Sequence, residues 1–243
     1  MRLSVVIPAY NEERTIATVI TSLLRELPDI HEIIVVDDGS TDHTADIAQK
    51  FCEPYGPVRL IRQQRNQGKT AALRAGFAAT TGDLAIVQDA DMEYDPADLP
   101  MLIEPILLGK ADVVFGSRFM IRRSARVLYF RHFMANQFLT FLSNLLTDLN
   151  LSDVETGYKA FRGDIIRKMV IESRGFGFEI EVTAKVAKLR CRVYEVPISY
   201  HGRTYEEGKK IGFRDGIDAI YYILKYNLFV NRKRSFTSPP QLH

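Results

Sequence analysis

Short apolar segments alternate with amphipathic segments along the first half of this chain of 243 residues. The apolar segments, which read as strands, cover residues 3–7, 32–36, 58–62, 84–88 and 112–115. The amphipathic segments, which read as helices, cover residues 16–27, 41–51, 69–79 and 97–108. Strands with few polar interruptions that alternate with helices indicate a mainly parallel sheet with helices on both faces. The sequence therefore predicts an α/β fold.

Polar residues follow three of the predicted strands. The clusters are Pro8-Ala9-Tyr10-Asn11-Glu12, Asp37-Asp38-Gly39-Ser40 and Asp89-Ala90-Asp91. Ligands of open parallel sheets bind outside the carboxyl ends of the strands, so these clusters are expected to form one site. Asn11 is also expected to cap the first helix, with Glu12 and Glu13 in its first turn.

Three carboxylates at intervals of two follow the apolar segment 84–87: Asp89, Asp91 and Glu93. Like charges this close repel each other, and burial increases the repulsion. Carboxylate oxygens are preferred ligands of Mg²⁺ and Mn²⁺, and in an extended segment Asp89 and Asp91 point to the same side. The triplet therefore predicts a divalent metal site that also addresses phosphates.

The sequence contains neither a P-loop nor a dinucleotide-binding motif. Residues 68–70 read GKT, but Gln63 occupies the position where a P-loop needs its first glycine, and no GxGxxG occurs. Segment 66–69 instead predicts a helix start that faces an anion. The pair at residues 37–38 also resembles the acidic pocket of a receiver domain, an interpretation that competes with simple turn residues.

Composition and hydropathy are typical of a globular protein and do not indicate a nucleic-acid-binding, secreted or membrane-spanning one. Hydrophobic residues make up 46% and charged residues 26%, as in globular domains, and a net charge of +2 does not indicate a nucleic-acid partner. Cys52 and Cys191 have no metal-ligand spacing and are expected to be reduced thiols. The first residues lack a signal-peptide pattern, and no apolar run reaches the roughly 18 residues of a spanning helix. A cytoplasmic location is expected.

The second half combines an arginine cluster with an apolar helical stripe. The arginines are Arg118, Arg122, Arg123, Arg126 and Arg131. The stripe consists of Phe138, Phe141, Leu142, Leu145, Leu146 and Leu149. These features fit either a solvated helix face above a core helix or an interfacial helix at anionic lipid headgroups.

Weaker patterns complete the second half. Residues 153–159 read as a polar loop, 178–189 and 217–230 as helices, and 193–198 as a strand interrupted by a proline. The polar tail 231–243 is expected to be disordered.

Several segments resemble the inverting glycosyltransferases of family 2, in the expected order along residues 2–230. They are VVIPAYNEE, IIVVDDGSTD, NQGKTAALRAGF, QDADMEYDP and GSRF. The later segments DVETGYKAF, FGFEIE and HGRTYEEGKKIGFRDG resemble its polyprenyl-phosphate glycosyltransferases, which include dolichyl-phosphate mannose synthase. The resemblance implies a GT-A fold with C-terminal amphipathic helices. It also implies one catalytic domain over 1–230, with a nucleotide-binding half (1–117) and an acceptor-binding half (118–230).

The resemblance assigns nucleotide-binding roles to residues at the strand ends and in a later loop. They are Pro8, Ala9, Tyr10, Glu12, Asp37, Lys69, Asp89, Arg203 and Lys210. Carboxylates accept hydrogen bonds from base N–H groups or ribose hydroxyls, and an aromatic side chain can stack. Uracil and guanine both offer N–H groups to Asp37. Asp38 is expected to orient its loop, and Arg203 and Lys210 to close over the pyrophosphate.

The resemblance also assigns the metal and the catalytic residues. Asp89 and Asp91 hold Mg²⁺ or Mn²⁺, with Glu93 as a third ligand where some relatives have glutamine, and the ion neutralises the departing nucleoside diphosphate. The expected catalytic residues are Asp91, Asp153, Arg118 and Arg131. A lipid monophosphate is mostly dianionic at pH 7, since its second pKa is about 6. Arg118 and Arg131 are therefore expected to position it, with assistance from Asp153.

The resulting hypothesis is metal-dependent, inverting transfer of a hexose from a UDP- or GDP-sugar to a dolichyl- or undecaprenyl-type phosphate. The enzyme would lie peripherally on the cytoplasmic membrane face. Two alternatives keep the fold: a polysaccharide or other acceptor, and a non-catalytic nucleotide-sugar-binding subunit. The roles of Glu179 and Glu181 have two interpretations. By resemblance, one of them lines the acceptor side of the site; alternatively, they are carboxylates at the start of a helix.

Overall fold

The computed structural model describes residues 1–120, 129–202 and 213–242. Seven strands in this part of the chain form one sheet in the order β3-β2-β1-β4-β6-β5-β7. The strands are β1 (Leu3–Ala9), β2 (Glu32–Asp37), β3 (Val58–Arg62), β4 (Leu84–Val87), β5 (Val113–Ser117), β6 (Lys159–Arg162) and β7 (Val193–Pro197). Strand β6 runs antiparallel to β4 and β5, and the other pairings are parallel. The predicted α/β class is confirmed.

Helices cover both faces of the sheet. They are α1 (Ile16–Glu26), α2 (Thr44–Gln49), α3 (Lys69–Ala79), α4 (Leu99–Leu107), α5 (Phe130–Thr147), α6 (Gly163–Lys168), α7 (Phe178–Leu189), α8 (Phe213–Leu224) and α9 (Arg232–Ser235). A 3₁₀ turn at Pro96–Asp98 precedes α4, and a π-helical turn at Lys225–Phe229 follows α8. None of the helices in the described ranges is long and apolar enough to cross a membrane.

Two apolar layers hold the helices on the sheet. Val5 and Ile7 of β1 belong to the layer that contains α1 and α4, whereas Val6 belongs to the layer that contains α3 and α7. This division follows from the alternation of side chains along a strand. A Cβ atom on Gly76 of α3 would lie 2.3 Å from Val6 Cγ1, so glycine lets α3 approach β1 closely. That approach places the first residue of α3, Lys69, at the edge of the sheet.

The loop before α1 differs from the expectation that Asn11 caps the helix. Asn11 has a left-handed φ of 54°, and the cap position is Thr15. The Asn11 side chain instead accepts the backbone N–H of Thr41 at 2.9 Å, and the first turn of α1 carries no acidic residue. The predicted cap is therefore wrong, because a contact between two loops outcompetes the local one.

The C-terminal tail and strand β6 also differ from the sequence prediction. Phe236 is 7% exposed and pairs with Met169, and the Gln241 N–H donates to Asp164 at 2.6 Å. The expected disorder of the tail is wrong over residues 231–242, because one buried aromatic residue attaches a polar segment. Strand β6 has four residues and was not predicted. The division into nucleotide-binding and acceptor-binding halves stays a prediction.

Candidate active site

The topology brings one edge of the sheet together with the loop before β6. Parallel strands β1, β2, β4 and β5 end at this edge, and antiparallel β6 begins there. The loop that contains residues 153–157 therefore reaches the carboxylates that follow β4. A Cβ atom on Gly157 would lie 2.6 Å from Asp89 Oδ2, so the two segments are in direct contact.

Asp37 lies at the end of β2, opposite Ala9 of β1. It is 4% exposed, and its Oδ2 accepts the Ser40 N–H at 3.4 Å. Its buried Oδ1 has no hydrogen-bond partner within the described residues. A buried carboxylate oxygen without a donor is costly, so this atom fits a ligand that brings an N–H or O–H group. Tyr10 is 37% exposed beside the same strand ends.

Asp38 connects the loop after β2 to the start of α3. Its carboxylate accepts the backbone N–H groups of Gln67 at 3.0 Å and Gly68 at 2.7 Å. Burial raises the pKa of Asp38, although these two hydrogen bonds oppose the shift. The expected loop-orienting contact is present in the structure.

Lys69 bridges two carboxylates from different elements. Its Nζ lies 2.9 Å from Asp89 Oδ1 and 3.0 Å from Glu179 Oε1 of α7. Burial by itself lowers the pKa of Lys69, but the charges of Asp89 and Glu179 outweigh it and hold the pKa well above its usual value. The sequence identified Lys69 and Asp89 as site residues, but left Glu179 between two interpretations.

The segment after β4 that carries Asp89, Asp91 and Glu93 is not extended throughout, so its side chains do not simply alternate in direction. Met92 has a left-handed φ of 62°, so the chain turns before Glu93. Glu93 Oε2 accepts the hydroxyl of Tyr200 at 2.8 Å, and Asp91 Oδ1 accepts the Glu93 N–H at 3.1 Å. Within the described ranges, no three His, Cys, Asp or Glu side chains are grouped to hold a metal ion.

Because the described residues hold no group of three such side chains, a metal held by two carboxylates is the arrangement we consider here. Magnesium sites commonly use one or two carboxylates and take the remaining oxygens from phosphates and water. Asp89 and Asp91 can form such a set, and the charge of Lys69 beside Asp89 is compatible with bound phosphate. The role of Glu93 as a third ligand stays a prediction.

Arg118 and Asp153 form a bidentate ion pair. The Arg118 Nε donates to Asp153 Oδ2, and its Nη2 donates to Oδ1, both at 2.7 Å. Asp153 is fully buried and also accepts the side-chain amide of Asn136 on α5 at 3.3 Å. Burial raises the pKa of Asp153, but the adjacent guanidinium outweighs burial and leaves the pKa below its usual value. Asp153 therefore acts on Arg118 in this geometry, and its assistance to the reacting oxygen stays a proposal.

Tyr94 links this ion pair to the carboxylates after β4. Its hydroxyl accepts the Gly157 N–H at 2.9 Å. The pKa of the buried Tyr94 hydroxyl is raised, first by burial and then through the charges of Asp89 and Asp153, while Arg118 opposes the rise. The Arg118–Asp153 pair and the Lys69–Asp89 pair therefore both lie near the phenol ring of Tyr94.

Some of the remaining predicted site residues lie in the described part of the chain, and the others lie outside it. Arg131 is exposed in the first turn of α5, and the Glu12 N–H donates to Thr44 Oγ1 at 2.8 Å near the first strand end. Arg203 and Lys210 lie outside the described residues, as do Arg122, Arg123 and Arg126.

Glu155 is a site residue that the sequence analysis missed. Its Oε1 is buried without a hydrogen-bond partner among the described residues. Burial, followed by the charge of Glu179, raises the pKa of Glu155 to about 7. The only available signal was its position inside DVETGYKAF, between Asp153 and Gly157.

Comparison with known proteins identifies the family. The model described as "Glycosyl transferase family 2" matches residues 4–170, which is more than half of the chain. The chain belongs to glycosyltransferase family 2. This confirms the resemblance seen in the sequence.

Relatives of this family 2 glycosyltransferase include two named lipid-phosphate enzymes. It is 31% identical to an undecaprenyl-phosphate mannosyltransferase of Micrococcus luteus, over 94% of this chain and 95% of the relative. It is 29% identical to a dolichol-phosphate mannosyltransferase of Pyrococcus furiosus, over 98% of this chain and 68% of the relative.

A similar solved structure is glucosyl-3-phosphoglycerate synthase from Mycobacterium tuberculosis in complex with Mn²⁺, UDP and glucosyl-3-phosphoglycerate. It is 25% identical to this glycosyltransferase with a TM-score of 0.68, over 93% of this chain and 80% of that one. The similarity supports the GT-A fold.

Proposed function

We propose that this glycosyltransferase moves a hexosyl group from a nucleotide sugar to a polyprenyl phosphate with inversion at the anomeric carbon. The observation that carries the proposal concerns the two faces of α5. Its inner face contacts the acceptor-side ion pair, because Asn136 donates to Asp153 and the Thr140 hydroxyl accepts the Val154 N–H at 3.2 Å. Its outer face exposes large apolar side chains. A charged phosphate site next to an apolar surface matches an amphiphilic lipid phosphate.

The nucleotide is expected at the ends of β1 and β2, next to Lys69. Asp37 supplies to a base or ribose donor the oxygen that has no hydrogen-bond partner in the described part of the chain, and Lys69 supplies positive charge toward the phosphates. A divalent ion held by Asp89 and Asp91 would neutralise the departing diphosphate, as Mn²⁺ in the related solved structure suggests. The nature of the ion, Mg²⁺ or Mn²⁺, and the roles of Pro8, Ala9, Tyr10 and Glu12 are part of this proposal.

The acceptor phosphate is expected at Arg118. A dianionic phosphate oxygen needs positioning more than deprotonation, since its second pKa is about 6. Asp153 and the ring of Tyr200, whose centroid lies 5.1 Å from the guanidinium carbon, fix the orientation of Arg118. Exposed Arg131 at the start of α5 can attract the lipid headgroup. Attack on the anomeric carbon in one displacement inverts its configuration.

The apolar surface is formed by the outer faces of α5 and α8 and by the turn after α8. Side chains at least 39% exposed there are Tyr129, Phe130, Met134, Phe138, Phe141, Leu145, Ile217, Tyr221, Leu224, Leu228 and Phe229. The two helices pack on each other through Leu139, Ala219 and Ile223. Helix α5 contains no Asp or Glu. This surface is suited to an anionic bilayer, and we place the enzyme peripherally on the cytoplasmic membrane face.

Replacing Phe138, Phe141 and Leu145 together with serine is expected to weaken binding to phosphatidylglycerol vesicles at least about 100-fold. The side chains are 56–67% exposed, so folding should persist. Vesicle flotation measures the binding, and the melting temperature checks the fold. Tyr55→Ser is the control, because Tyr55 is fully exposed in the turn before β3. Equal flotation of the triple variant and the wild type would contradict the membrane placement.

Asp37→Asn is expected to raise the Kd of the preferred nucleoside diphosphate roughly 10-fold or more. The change removes the charge from a buried acceptor, and hydrogen bonds to charged groups contribute about 1.5–3 kcal/mol. Calorimetric titration with UDP and GDP measures the effect. Asp46→Asn is the control, since the Asp46 side chain is 68% exposed. An unchanged Kd for both nucleotides would exclude Asp37 from the nucleoside site.

Transfer itself is tested with radiolabelled nucleotide sugars, a short polyprenyl phosphate and Mn²⁺. We expect label in the organic phase that depends on the lipid phosphate. Parallel reactions contain 3-phosphoglycerate or a polysaccharide in place of the lipid phosphate, and label on either of these alone would assign a different acceptor to the same fold. Binding of the nucleotide sugar without any turnover would support a non-catalytic subunit.

A further inference from the structure

The loop that carries Glu155 is held at both ends by the active site. Two residues before Glu155, Asp153 is fixed by Arg118. Two residues after it, Gly157 lies against Asp89 and donates to Tyr94. Glu155 therefore lies between the pair on the acceptor side and the pair on the nucleotide side.

The charged groups that surround Glu155 already have partners. Glu179 pairs with Lys69 at 3.0 Å, and Asp153 pairs with Arg118. The Nζ of Lys159, which is fully buried, donates to the Val154 and Thr156 carbonyl groups at 3.0 and 2.7 Å. Among the described residues, Oε1 of Glu155 therefore receives no hydrogen bond, although it is buried.

The substrates offer only one kind of donor at this position. The diphosphate and the acceptor phosphate are anionic acceptors, which a carboxylate repels. The hexosyl group between them carries several hydroxyl groups, each of which can donate a hydrogen bond. A buried acceptor without a donor is costly, and the transferred sugar supplies the missing donor. The adjacent Thr156 hydroxyl is likewise buried without a partner among the described residues.

We propose that Glu155 binds a hydroxyl group of the transferred hexose and thereby determines which hexose the enzyme accepts. The proposal rests on the proposed function, because it requires a nucleotide sugar at this edge of the sheet. The raised pKa of Glu155 is consistent with this role. A carboxyl group with a pKa of about 7 is present in both protonation states near neutral pH, so it can accept a hydrogen bond from a sugar hydroxyl or donate one to it.

The test compares nucleoside diphosphates with nucleotide sugars in calorimetric titrations with Mn²⁺. The probes are GDP and GDP-mannose, and UDP and UDP-glucose. In Glu155→Gln and Glu155→Ala, the Kd of the nucleoside diphosphate should stay within about twofold of the wild-type value. The Kd of the preferred nucleotide sugar should rise about 10-fold or more, which is the loss expected for one charged hydrogen bond.

Glu195→Gln is the matched control for a purely structural role. Glu195 supports the same loop by accepting the Ser152 N–H at 2.9 Å and the Asp153 N–H at 3.3 Å. This variant should leave the ratio of the two Kd values unchanged. Equal weakening of nucleoside diphosphate and nucleotide sugar by Glu155→Gln would overturn the proposal, as would unchanged affinity for both.

The binding readout separates this inference from the transfer reaction. A changed Kd ratio in the Glu155 variants supports the sugar contact even if no lipid phosphate accepts the sugar. A wild-type protein that gains no affinity from either sugar overturns the inference. An altered preference between mannosyl and glucosyl donors in Glu155→Gln would support its part in sugar selection.

Discussion

Asp91→Asn is expected to abolish the gain in nucleotide-sugar affinity that Mn²⁺ provides and to lower the transfer rate by roughly 1000-fold. The asparagine oxygen can still accept the Glu93 N–H, which Asp91 Oδ1 accepts at 3.1 Å, so the turn should persist. The change therefore removes the charge of a proposed metal ligand and keeps the local turn. Calorimetric titration with and without Mn²⁺ and initial rates under saturating acceptor measure the two effects.

Asp95→Asn is the control for this variant. The Asp95 carboxylate accepts the Ala97 N–H at 3.0 Å, so its local role resembles that of Asp91 in a neighbouring turn. We expect its transfer rate to stay within about twofold of the wild type, because Asp95 has no proposed metal role. Retention of Mn²⁺-dependent donor binding by Asp91→Asn would exclude Asp91 as a ligand.

Arg118→Ala is expected to lower the free energy of unfolding by about 3–5 kcal/mol at pH 7, because it leaves the buried Asp153 carboxylate unpaired. It should also raise the KM for the polyprenyl phosphate at least about 10-fold, since Arg118 is proposed to position that phosphate. Denaturant unfolding and acceptor titration measure the two effects. Arg118→Ala with Asp153→Asn should recover most of the stability but none of the acceptor affinity.

The loss of stability in Arg118→Ala should depend on pH. In the wild type the lowered pKa of Asp153 contributes stability above the ordinary carboxyl pKa, and this stability is lost as pH falls through the lowered value. Without Arg118, burial dominates and raises the pKa of Asp153, so protonation relieves the variant at lower pH. The difference in unfolding free energy between variant and wild type should therefore be smaller at pH 5 than at pH 7.

Arg59→Ala is the matched control for loss of an arginine–carboxylate pair. The Arg59 side chain is 50% exposed, and its partner Glu32 also accepts hydrogen bonds from Ser4 and Thr81. The Glu32 side chain is only 7% exposed but keeps these hydrogen bonds in the variant, so we expect a loss of about 1 kcal/mol. A similarly small loss in Arg118→Ala would show that the Arg118–Asp153 pair does not stabilise the fold.

Hydrophobic periodicity predicted the sheet and several elements well. Strand β3 and helices α3 and α7 have the predicted bounds. Strand β6 was missed because its short sequence, KAFR, buries a lysine whose ammonium group finds backbone carbonyls. Such partners come from tertiary contacts and leave no periodic pattern.

The sequence predicted the site residues that directly follow strands, but not the contacts between side chains that are distant in sequence. Asp37 and Asp89 follow predicted strands, so topology alone places them at one edge. The pairing of Arg118 with Asp153 joins residues 35 positions apart, and the turn at Met92 depends on a single backbone angle. Glu155 belongs to the second kind, because its proposed role depends on one buried oxygen that has no hydrogen-bond partner among the described residues.

The most direct measurement of the central claim is the structure of the reaction product. Enzyme, an α-linked nucleotide hexose, Mn²⁺ and a short polyprenyl phosphate should yield one hexosyl-phosphate lipid. Its mass should exceed that of the lipid phosphate by one hexosyl group less one hydrogen atom, and its anomeric proton resonance should indicate the β configuration. A product with retained configuration, or sugar released only as free hexose, would contradict a single displacement by lipid phosphate at this site.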